Sequence, residues 1–157
     1  LHASGAAVTG VDPFPEPRER AAAAGLPAEA EPRSAASAGT VIVMVATGEQ
    51  LDAALDGDPE TGVSGLLDLM APGAVLFVMS TVGPEAVRAA GARAAERGIS
   101  TLDVPVTGGI ARAARGELRM FVSGDPAAID AGGGDVDAHH PGLVQIRMGA
   151  RRGNQQL

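Results

Sequence analysis

The sequence predicts an α/β domain built on a mainly parallel sheet. Short runs rich in β-branched apolar residues alternate along the chain with segments rich in Ala and Glu, and the runs at 40–46 and 74–79 are apolar throughout. A strand that is apolar on both faces is typical of a parallel sheet covered by helices on both sides. Strands that alternate with helices at this spacing favour the same architecture.

The predicted elements are separated by Gly, Pro and Asp. Strands are expected at residues 6–12, 40–46, 74–79, 99–104, 118–123 and 143–148. Helices are expected at residues 16–24, 27–38, 49–55, 65–70, 84–97, 111–115 and 126–131. The helix at 84–97 begins with Pro84 and has Gly98 just past its end, which is the usual asymmetry of helix termini. Residues 132–141 contain three consecutive glycines and are assigned to no element.

Composition excludes several classes of function. The 157 residues are 45% apolar, enough for one domain with a core. The net charge is −7, the basic residues are scattered, and aromatic residues make up 2%, so we predict no nucleic-acid binding. With no Cys, and with three histidines (His2, His139 and His140) that share no ligand-like spacing with a carboxylate pair, we predict no metal site. The apolar runs are too short to span a membrane and no leader is visible, which predicts a cytoplasmic protein.

Candidate functional residues follow the predicted strands. Ligands of α/β proteins bind at the carboxyl ends of the strands, so the residues just after each strand deserve inspection. Taken singly, each has a structural explanation as a turn, a helix cap or a glycine with an unusual backbone angle. As an ordered series they indicate a ligand-binding edge, formed by Asp12, Val45, Ala46, Ser80, Thr81, Thr107, Gly108 and Gly109.

These motifs resemble those of the β-hydroxyacid dehydrogenases, the family of 3-hydroxyisobutyrate dehydrogenase and tartronate semialdehyde reductase. Residues 79–84 (MSTVGP) resemble the family's "MSTISP", and residues 102–109 (LDVPVTGG) resemble its "LDAPVSGG". Residues 116–125 (GELRMFVSGD) are similar to "GTLxxMVGGD", and residues 44–46 stand where the family has "MLP". Two departures are Thr107 in place of Ser, which keeps the hydroxyl, and Ala46 in place of Pro.

The resemblance implies a Rossmann-type doubly wound sheet that binds NAD(P), followed in the family by an all-helical domain. It implies oxidation of a small β-hydroxy acid, or reduction of the matching semialdehyde. Asp12 would contact the adenosine ribose, and it would favour NAD over NADP because an acid repels the 2′-phosphate and no Arg follows it directly. The other implied cofactor-binding residues are Val45, Ala46, Ser80 and Thr81. Thr107, Gly108 and Gly109 would hold the substrate carboxylate with a hydroxyl and backbone N–H groups.

Two essential parts of the family are not in the sequence. The family's glycine-rich phosphate-binding turn lies before the second strand, and residues 1–5 would be the tail of the helix that follows that turn. The family's catalytic group is a Lys, and the 12 basic residues here are all Arg. We therefore expect residues 1–157 to be an incomplete Rossmann domain without its first strand, with open strand edges, a tendency to aggregate and no catalytic residue. The parent protein is expected to be a homo-oligomer.

Several functional interpretations stay open at this point. The chain is either a fragment of an ordinary dehydrogenase, inactive alone, or a lysine-less relative that binds a nucleotide or a partner without redox chemistry. Imine reductases share the fold but are not expected to carry the "DxPVTGG" element. A plain α/β binding module that takes no nucleotide does not account for the ordered motifs. A glycine-rich turn upstream and a Lys downstream would favour the dehydrogenase fragment.

Overall fold

The computed structural model describes residues 7–115, 117–131, 136–140 and 143–147. Its strands are β1 (Gly10–Val11), β2 (Ala28–Glu29), β3 (Thr40–Val43), β4 (Gly57–Asp58), β5 (Val63–Ser64), β6 (Val75–Val78), β7 (Ser100–Asp103), β8 (Val106–Thr107), β9 (Arg119–Gly124), β10 (Val136–His140) and β11 (Leu143–Arg147). Its α-helices are α1 (Pro15–Ala23), α2 (Gly48–Asp56), α3 (Leu66–Leu69), α4 (Pro84–Ala95), α5 (Gly109–Ala114) and α6 (Pro126–Ala131), with a 3₁₀ helix at Arg33–Ser37. The predictions made for residues 1–6, 132–135 and 148 lie outside the described residues.

The main sheet is mixed, and its parallel part carries the strand ends of interest. Its strand order is β10-β11-β9-β7-β6-β3, with β8 paired to β9. Strands β3, β6 and β7 run parallel, whereas β9 is antiparallel to β7, and β11 and β10 continue in antiparallel fashion. Strands β1 and β2 form a separate parallel pair, and β4 with β5 forms a hairpin. The predicted Rossmann-type α/β class is confirmed.

Two apolar clusters cover the two faces of the main sheet. On one face, β3 and β6 pack against α2, α3 and α4, and the largest fully buried side chains there are Leu51, Leu55, Leu76, Val78 and Ile99. Leu51 and Leu55 lie one helical turn apart on α2, as a helix with one apolar face requires. The other cluster lies between β7, β9 and α6. Within the described residues, 7–34 contribute no buried side chain to either cluster.

One predicted helix is wrong. Residues 27–38 do not form a helix but contain β2, a turn and the 3₁₀ helix. The carboxylate of Glu29 accepts hydrogen bonds from the backbone N–H of Ser34 at 2.8 Å and from its hydroxyl at 2.6 Å, which closes the turn. Pro32 directly precedes the 3₁₀ helix. The Ala content favoured a helix, but two prolines and a Glu–Ser turn outweighed it.

Besides β2, four short strands were not predicted from the sequence: β4 and β5, which form the hairpin, and β8 and β10. The hairpin depends on glycine at two positions where the backbones nearly touch. A Cβ on Gly57 would lie 2.3 Å from the carbonyl oxygen of Val63, and one on Gly65 would lie 2.2 Å from that of Leu55.

Among the described residues, no helix is long and apolar enough to cross a membrane.

Candidate functional site

The carboxyl ends of β3, β6 and β7 lie along one edge of the main sheet, because the three strands are parallel and in register. Val43 is opposite Val78, and Val78 is opposite Asp103, so the loops that follow these residues leave the sheet side by side. These loops hold seven of the eight residues singled out from the sequence. The eighth, Asp12, follows β1 in the separate β1–β2 sheet.

Asp12 ends β1 and turns the chain into α1. Its backbone N–H donates to the carbonyl of Glu29 at 3.1 Å, and its Oδ1 accepts from the N–H of Phe14 at 2.9 Å. One carboxylate oxygen therefore stabilises the turn that leads into α1. The guanidinium of Arg18 donates to the carbonyl oxygen of Asp12 at 2.6 Å. Spacing along the sequence did not reveal this contact, which α1 creates by folding back over the end of β1.

The loop between β3 and α2 is held by hydrogen bonds on both sides. The N–H of Val45 donates to the hydroxyl oxygen of Ser80 at 2.6 Å, and the N–H of Ala46 donates to Oε1 of Gln50 at 2.8 Å. Thr47 caps α2 by accepting from the N–H of Gln50 at 3.2 Å. This arrangement is similar to a capping box, except that Gln50 accepts from Ala46, one residue before the N-cap Thr47. Gln50 was not among the predicted site residues, although the Thr-x-x-Gln spacing is a signal that could have identified it.

Ser80 and Thr81 have different environments. Ser80 is 4% exposed and its hydroxyl is turned towards the β3 loop, whereas Thr81 is exposed. Neither caps α4, since the residue before that helix is Gly83, with φ of 90° and no side-chain cap. Helix capping therefore does not explain the Ser-Thr pair. Ser80 positions the loop after β3, and Thr81 presents its hydroxyl to solvent.

The segment Thr107–Gly109 connects the β7 edge to the antiparallel half of the sheet. Thr107 lies in β8 opposite Arg119 of β9, and its side chain is exposed. Gly108 has φ of 127°, and a Cβ there would lie 2.8 Å from Cδ of Arg112. Gly109 has φ of 64° and nothing within 4 Å of where its Cβ would be. The space beside Gly109 is therefore open, whereas the space beside Gly108 is occupied by the side chain of Arg112.

Asp103 is an ionisable group at the same edge that was not predicted as a site residue. It is the last residue of β7 and is half-buried. Burial raises the pKa of its carboxyl above the ordinary value for Asp, because removal from water disfavours the charged form.

The structure brings seven of the eight predicted residues to one edge without bonding all of them together. Val45 and Ser80 are joined directly, and Thr107, Gly108 and Gly109 are consecutive. Within the described part of the chain, no hydrogen bond links Asp12, Thr81 or Thr107 to another of the eight.

A shallow depression of about 300 Å³ lies at the opposite, amino end of β3 and β6. It is lined by residues 36–39 and 71–74, none of which carries a charged side chain.

This combination of features defines a Rossmann-type dinucleotide-binding domain: parallel strands with covered faces, an acidic residue after one strand, and hydroxyl and glycine residues after the others. The family model for the NAD binding domain of 6-phosphogluconate dehydrogenase matches residues 1–133. The chain belongs to this family, as the NAD-binding domain of a β-hydroxyacid dehydrogenase. The expectation of NAD as the cofactor is confirmed by this match.

Individual relatives agree with the family. The chain is 37% identical to the L-threonate dehydrogenase of Cupriavidus necator over 140 residues, which are 88% of this chain and 45% of that protein. It is 37% identical over 108 residues to the NAD-dependent L-serine dehydrogenase of Pseudomonas aeruginosa, covering 69% of this chain and 35% of that one. The solved structure of the Mycobacterium tuberculosis 3-hydroxyisobutyrate dehydrogenase with L-serine superposes with a TM-score of 0.73 at 31% identity, over 84% of this chain and 43% of the other. The chain therefore spans less than half the length of these relatives.

Proposed function

We propose that the protein containing this chain oxidises a small β-hydroxy acid with NAD. Hydride leaves the carbon that bears the hydroxyl and reduces NAD⁺ to NADH, the hydroxyl loses its proton to a base, and a carbonyl forms. The observation that carries the proposal is the exposed Thr107-Gly108-Gly109 segment, which follows β7 at the carboxyl end of the parallel strands, the edge where ligands of α/β proteins bind. The similarity to L-threonate and L-serine dehydrogenases supports a substrate with a carboxylate and a nearby hydroxyl.

The residues of this chain would bind and orient the reactants. Oδ2 of Asp12 accepts hydrogen bonds from the adenosine ribose, and the Val45–Ala46 loop lines the path of the cofactor. Ser80 holds that loop through the N–H of Val45, and Thr81 reaches the nicotinamide ribose. Bound NAD supplies the hydride acceptor.

The substrate carboxylate would be held by neutral donors. The hydroxyl of Thr107 and the N–H groups of Gly108 and Gly109 are neutral donors, and two arginines stand beside them: the side chain of Arg112 lies against Gly108, and Arg119 is opposite Thr107 in the sheet. The φ of 127° at Gly108 and of 64° at Gly109 are conformations that glycine adopts and other residues rarely do, so the backbone of this segment depends on both glycines. This arrangement selects a carboxylate by geometry, and the rest of the substrate pocket decides which acid is used.

The proton transfer has no candidate group in this sequence. The family resemblance assigns it to a Lys, and the chain contains none; Arg stays protonated at neutral pH. We propose that residues 1–157 form an incomplete nucleotide domain without turnover on its own, since positioned proton transfer contributes about 10²–10⁴-fold. The lysine-less binding protein remains the second candidate because of this composition.

A chimera tests the proposal. Residues 7–131 of this chain would replace the corresponding segment of the Cupriavidus necator L-threonate dehydrogenase, and NADH absorbance would be followed with L-threonate, L-serine and 3-hydroxyisobutyrate. We expect turnover of at least one acid by the chimera and none by the isolated chain. A chimera that binds NAD but oxidises none of the acids would contradict the proposal and favour the binding protein. Turnover by the isolated chain would show that the proton acceptor has been misassigned.

A further inference from the structure

Arginines flank the Thr107-Gly108-Gly109 segment in a chain that is acidic as a whole. The net charge of the chain is −7, yet residues 104–124 contain three arginines and a single acidic residue, Glu117. Glu117 forms an ion pair with Arg115 at 2.9 Å. Arg112 and Arg119 are therefore the charges of this stretch that Glu117 does not neutralise, and the segment between them has a positive surrounding.

The side chain of Arg112 lies against Gly108. A Cβ on Gly108 would lie 2.8 Å from Cδ of Arg112 and 3.0 Å from its Cβ, so the aliphatic part of the arginine runs directly alongside the glycine. Arg112 is exposed, and its guanidinium begins one bond beyond Cδ. The charge of Arg112 is thus held beside the segment by the backbone of Gly108.

Arg119 approaches the same segment from the neighbouring strand. It is paired with Thr107 in the antiparallel β8–β9 ladder, and the side chains of both residues are exposed. Residues that are directly opposite in such a ladder have Cβ atoms about 4.5–5.5 Å apart on one face of the sheet. On its other side Arg119 is paired with Arg147 of β11, so neither cross-strand neighbour is acidic. A ligand bound to the hydroxyl of Thr107 would lie within reach of the Arg119 guanidinium.

The two arginines differ from most others in having no partner. Carboxylates contact the guanidinium groups of Arg20, Arg33, Arg93, Arg97 and Arg115. Across residues 7–115, 117–131, 136–140 and 143–147, the guanidinium groups of Arg112 and Arg119 form no hydrogen bond or ion pair, and Arg88 on α4 also forms none. Arg112 and Arg119 have in common that both stand beside the segment assigned to the substrate. Two cations without a partner at that place indicate an anion that comes with the ligand.

We propose that Arg112 and Arg119 bind a second anionic group of the substrate, so that the acid is a dianion: a hydroxy acid that carries a second carboxylate or a phosphate. The inference rests on the proposed function and specifies the substrate class of that same site. The Thr107–Gly109 segment binds one carboxylate through neutral donors, and the guanidinium groups bind the other group. The planar fork of an arginine matches the oxygens of both a carboxylate and a phosphate.

Titration of the full chain with three acids tests the proposal. L-Threonate, tartrate and 4-phospho-L-threonate share a four-carbon chain and carry a hydroxyl, a carboxylate and a phosphate at C4, respectively. NMR signals of the amides at residues 107–109 and of the Nε–H groups of Arg112 and Arg119 report a Kd at the site for each acid. At least one dianion should have a Kd about fivefold or more below that of L-threonate, because it gains two exposed charge pairs. The acid with the lower Kd shows whether the second group is a carboxylate or a phosphate, and the preference should shrink as salt is added.

Matched variants identify the residues that recognise the second group. Arg112→Gln and Arg119→Gln should each reduce the preference for the dianion at least about twofold, and the double variant should abolish it, while the Kd of L-threonate changes less than twofold. Arg119→Lys keeps the positive charge and should retain part of the preference. Arg97→Gln is the control, because Arg97 precedes β7 at the amino end of the sheet and pairs with Asp68. It should leave all three Kd values unchanged.

Several outcomes would overturn the proposal. Equal Kd values for the three acids would do so, as would a preference that persists in the double variant. An equal loss of affinity for L-threonate and for the dianions would show that the arginines bind the shared carboxylate instead. In each of these cases L-threonate still binds, and the dehydrogenase proposal stands. An absence of shifts at residues 107–119 with any acid would also contradict the dianion site, whereas the dehydrogenase proposal is decided separately by turnover in the chimera.

Discussion

The backbone N–H of Val45 donates a 2.6 Å hydrogen bond to the buried hydroxyl of Ser80, 35 residues further along the chain. The bond lies just past the last β3–β6 pairing, where a side chain replaces the next rung of the ladder. It fixes the loop after β3 relative to the loop after β6. The two strand ends that we assign to the cofactor therefore form one rigid unit.

Ser80→Ala should destabilise the chain by about 1–3 kcal/mol, because it leaves the partly buried N–H of Val45 without an acceptor. Thr81→Ala is the matched control: it removes the neighbouring hydroxyl from an exposed residue and should change stability by no more than about 0.5 kcal/mol. Urea unfolding of both variants measures the difference. Equal destabilisation by the two substitutions would show that the Val45–Ser80 bond contributes little.

Thr107→Val should raise KM for the hydroxy acid about ten- to a hundredfold in the chimera, since a hydrogen bond to a charged group is worth about 1.5–3 kcal/mol. Thr107→Ser keeps the hydroxyl and should stay close to the unmodified chimera. Initial rates over a range of acid concentrations separate KM from kcat. An unchanged KM in Thr107→Val would show that the hydroxyl of Thr107 does not bind the substrate carboxylate.

Asp12→Asn should shift the ratio of NADP to NAD affinity towards NADP by roughly tenfold, or about 1.4 kcal/mol. The substitution removes the negative charge that repels the 2′-phosphate and leaves the guanidinium of Arg18 at the same turn. Asp125→Asn is the control, because Asp125 also follows a strand and accepts from a backbone N–H two residues on. Titration of the chimera with both cofactors provides the measurement. An unmodified chimera that binds NADP as well as NAD would contradict the role of Asp12.

Gly57→Ala should destabilise the chain by about 2–5 kcal/mol, from about 1–2 kcal/mol for a left-handed backbone and about 1–3 kcal/mol for overpacking against Val63. Gly62→Ala has nearly the same φ, 75° against 74°, but nothing within 4 Å of the added carbon. It should therefore show only the backbone cost. Thermal and urea unfolding compare the pair, and a difference near zero would mean that the hairpin relaxes to admit a methyl group.

Asp103→Asn should stabilise the chain at neutral pH, with the gain disappearing below about pH 4. Burial raises the pKa of Asp103 in the folded chain, so its protonated form favours folding at low pH, and this contribution is lost as the pH rises through the raised pKa. Hydrogen bonds, chiefly from Ser34 and from Thr61, lower the pKa values of Glu29 and Asp58, respectively. These two carboxylates therefore stabilise the fold at higher pH, which is opposite to the effect of Asp103. Both groups are present in the two proteins, so their effects cancel in the difference. Urea unfolding over a pH series measures the difference in free energy of unfolding between Asp103→Asn and the unmodified chain. A difference that does not change with pH would contradict the prediction.

Most of the parallel half of the fold could be predicted from the sequence, because its signals are local. The apolar runs at 40–46 and 74–79 contain β3 and β6, and Pro84 and Gly98 flank α4 as expected. The helix predicted at 27–38 was wrong because composition does not register how Glu29 closes a turn on Ser34. The antiparallel pairing of β8 with β9 has no local signal, since it depends on residues a dozen positions apart.

The candidate site could be predicted as positions but not as contacts. The residues after each strand were identified because parallel strands bring their carboxyl ends together. The contact of Arg18 with Asp12 depends on where α1 begins, and the bond from Val45 to Ser80 depends on the register of two strands. The partial burial of Asp103 likewise results from neighbours that are distant in sequence.

The β1–α1–β2 segment contributes no side chain to either apolar cluster, so backbone pairing and a few polar contacts hold it in place. A segment with so little buried apolar area opens at a lower free energy than the rest of the molecule. We therefore expect the segment that carries Asp12 to open at a lower free energy than the buried region around Ser80. Binding of the adenosine end of a dinucleotide would then be coupled to local folding. The enthalpy and heat capacity of dinucleotide binding would include the ordering of about twenty residues, those from Gly10 to Glu29.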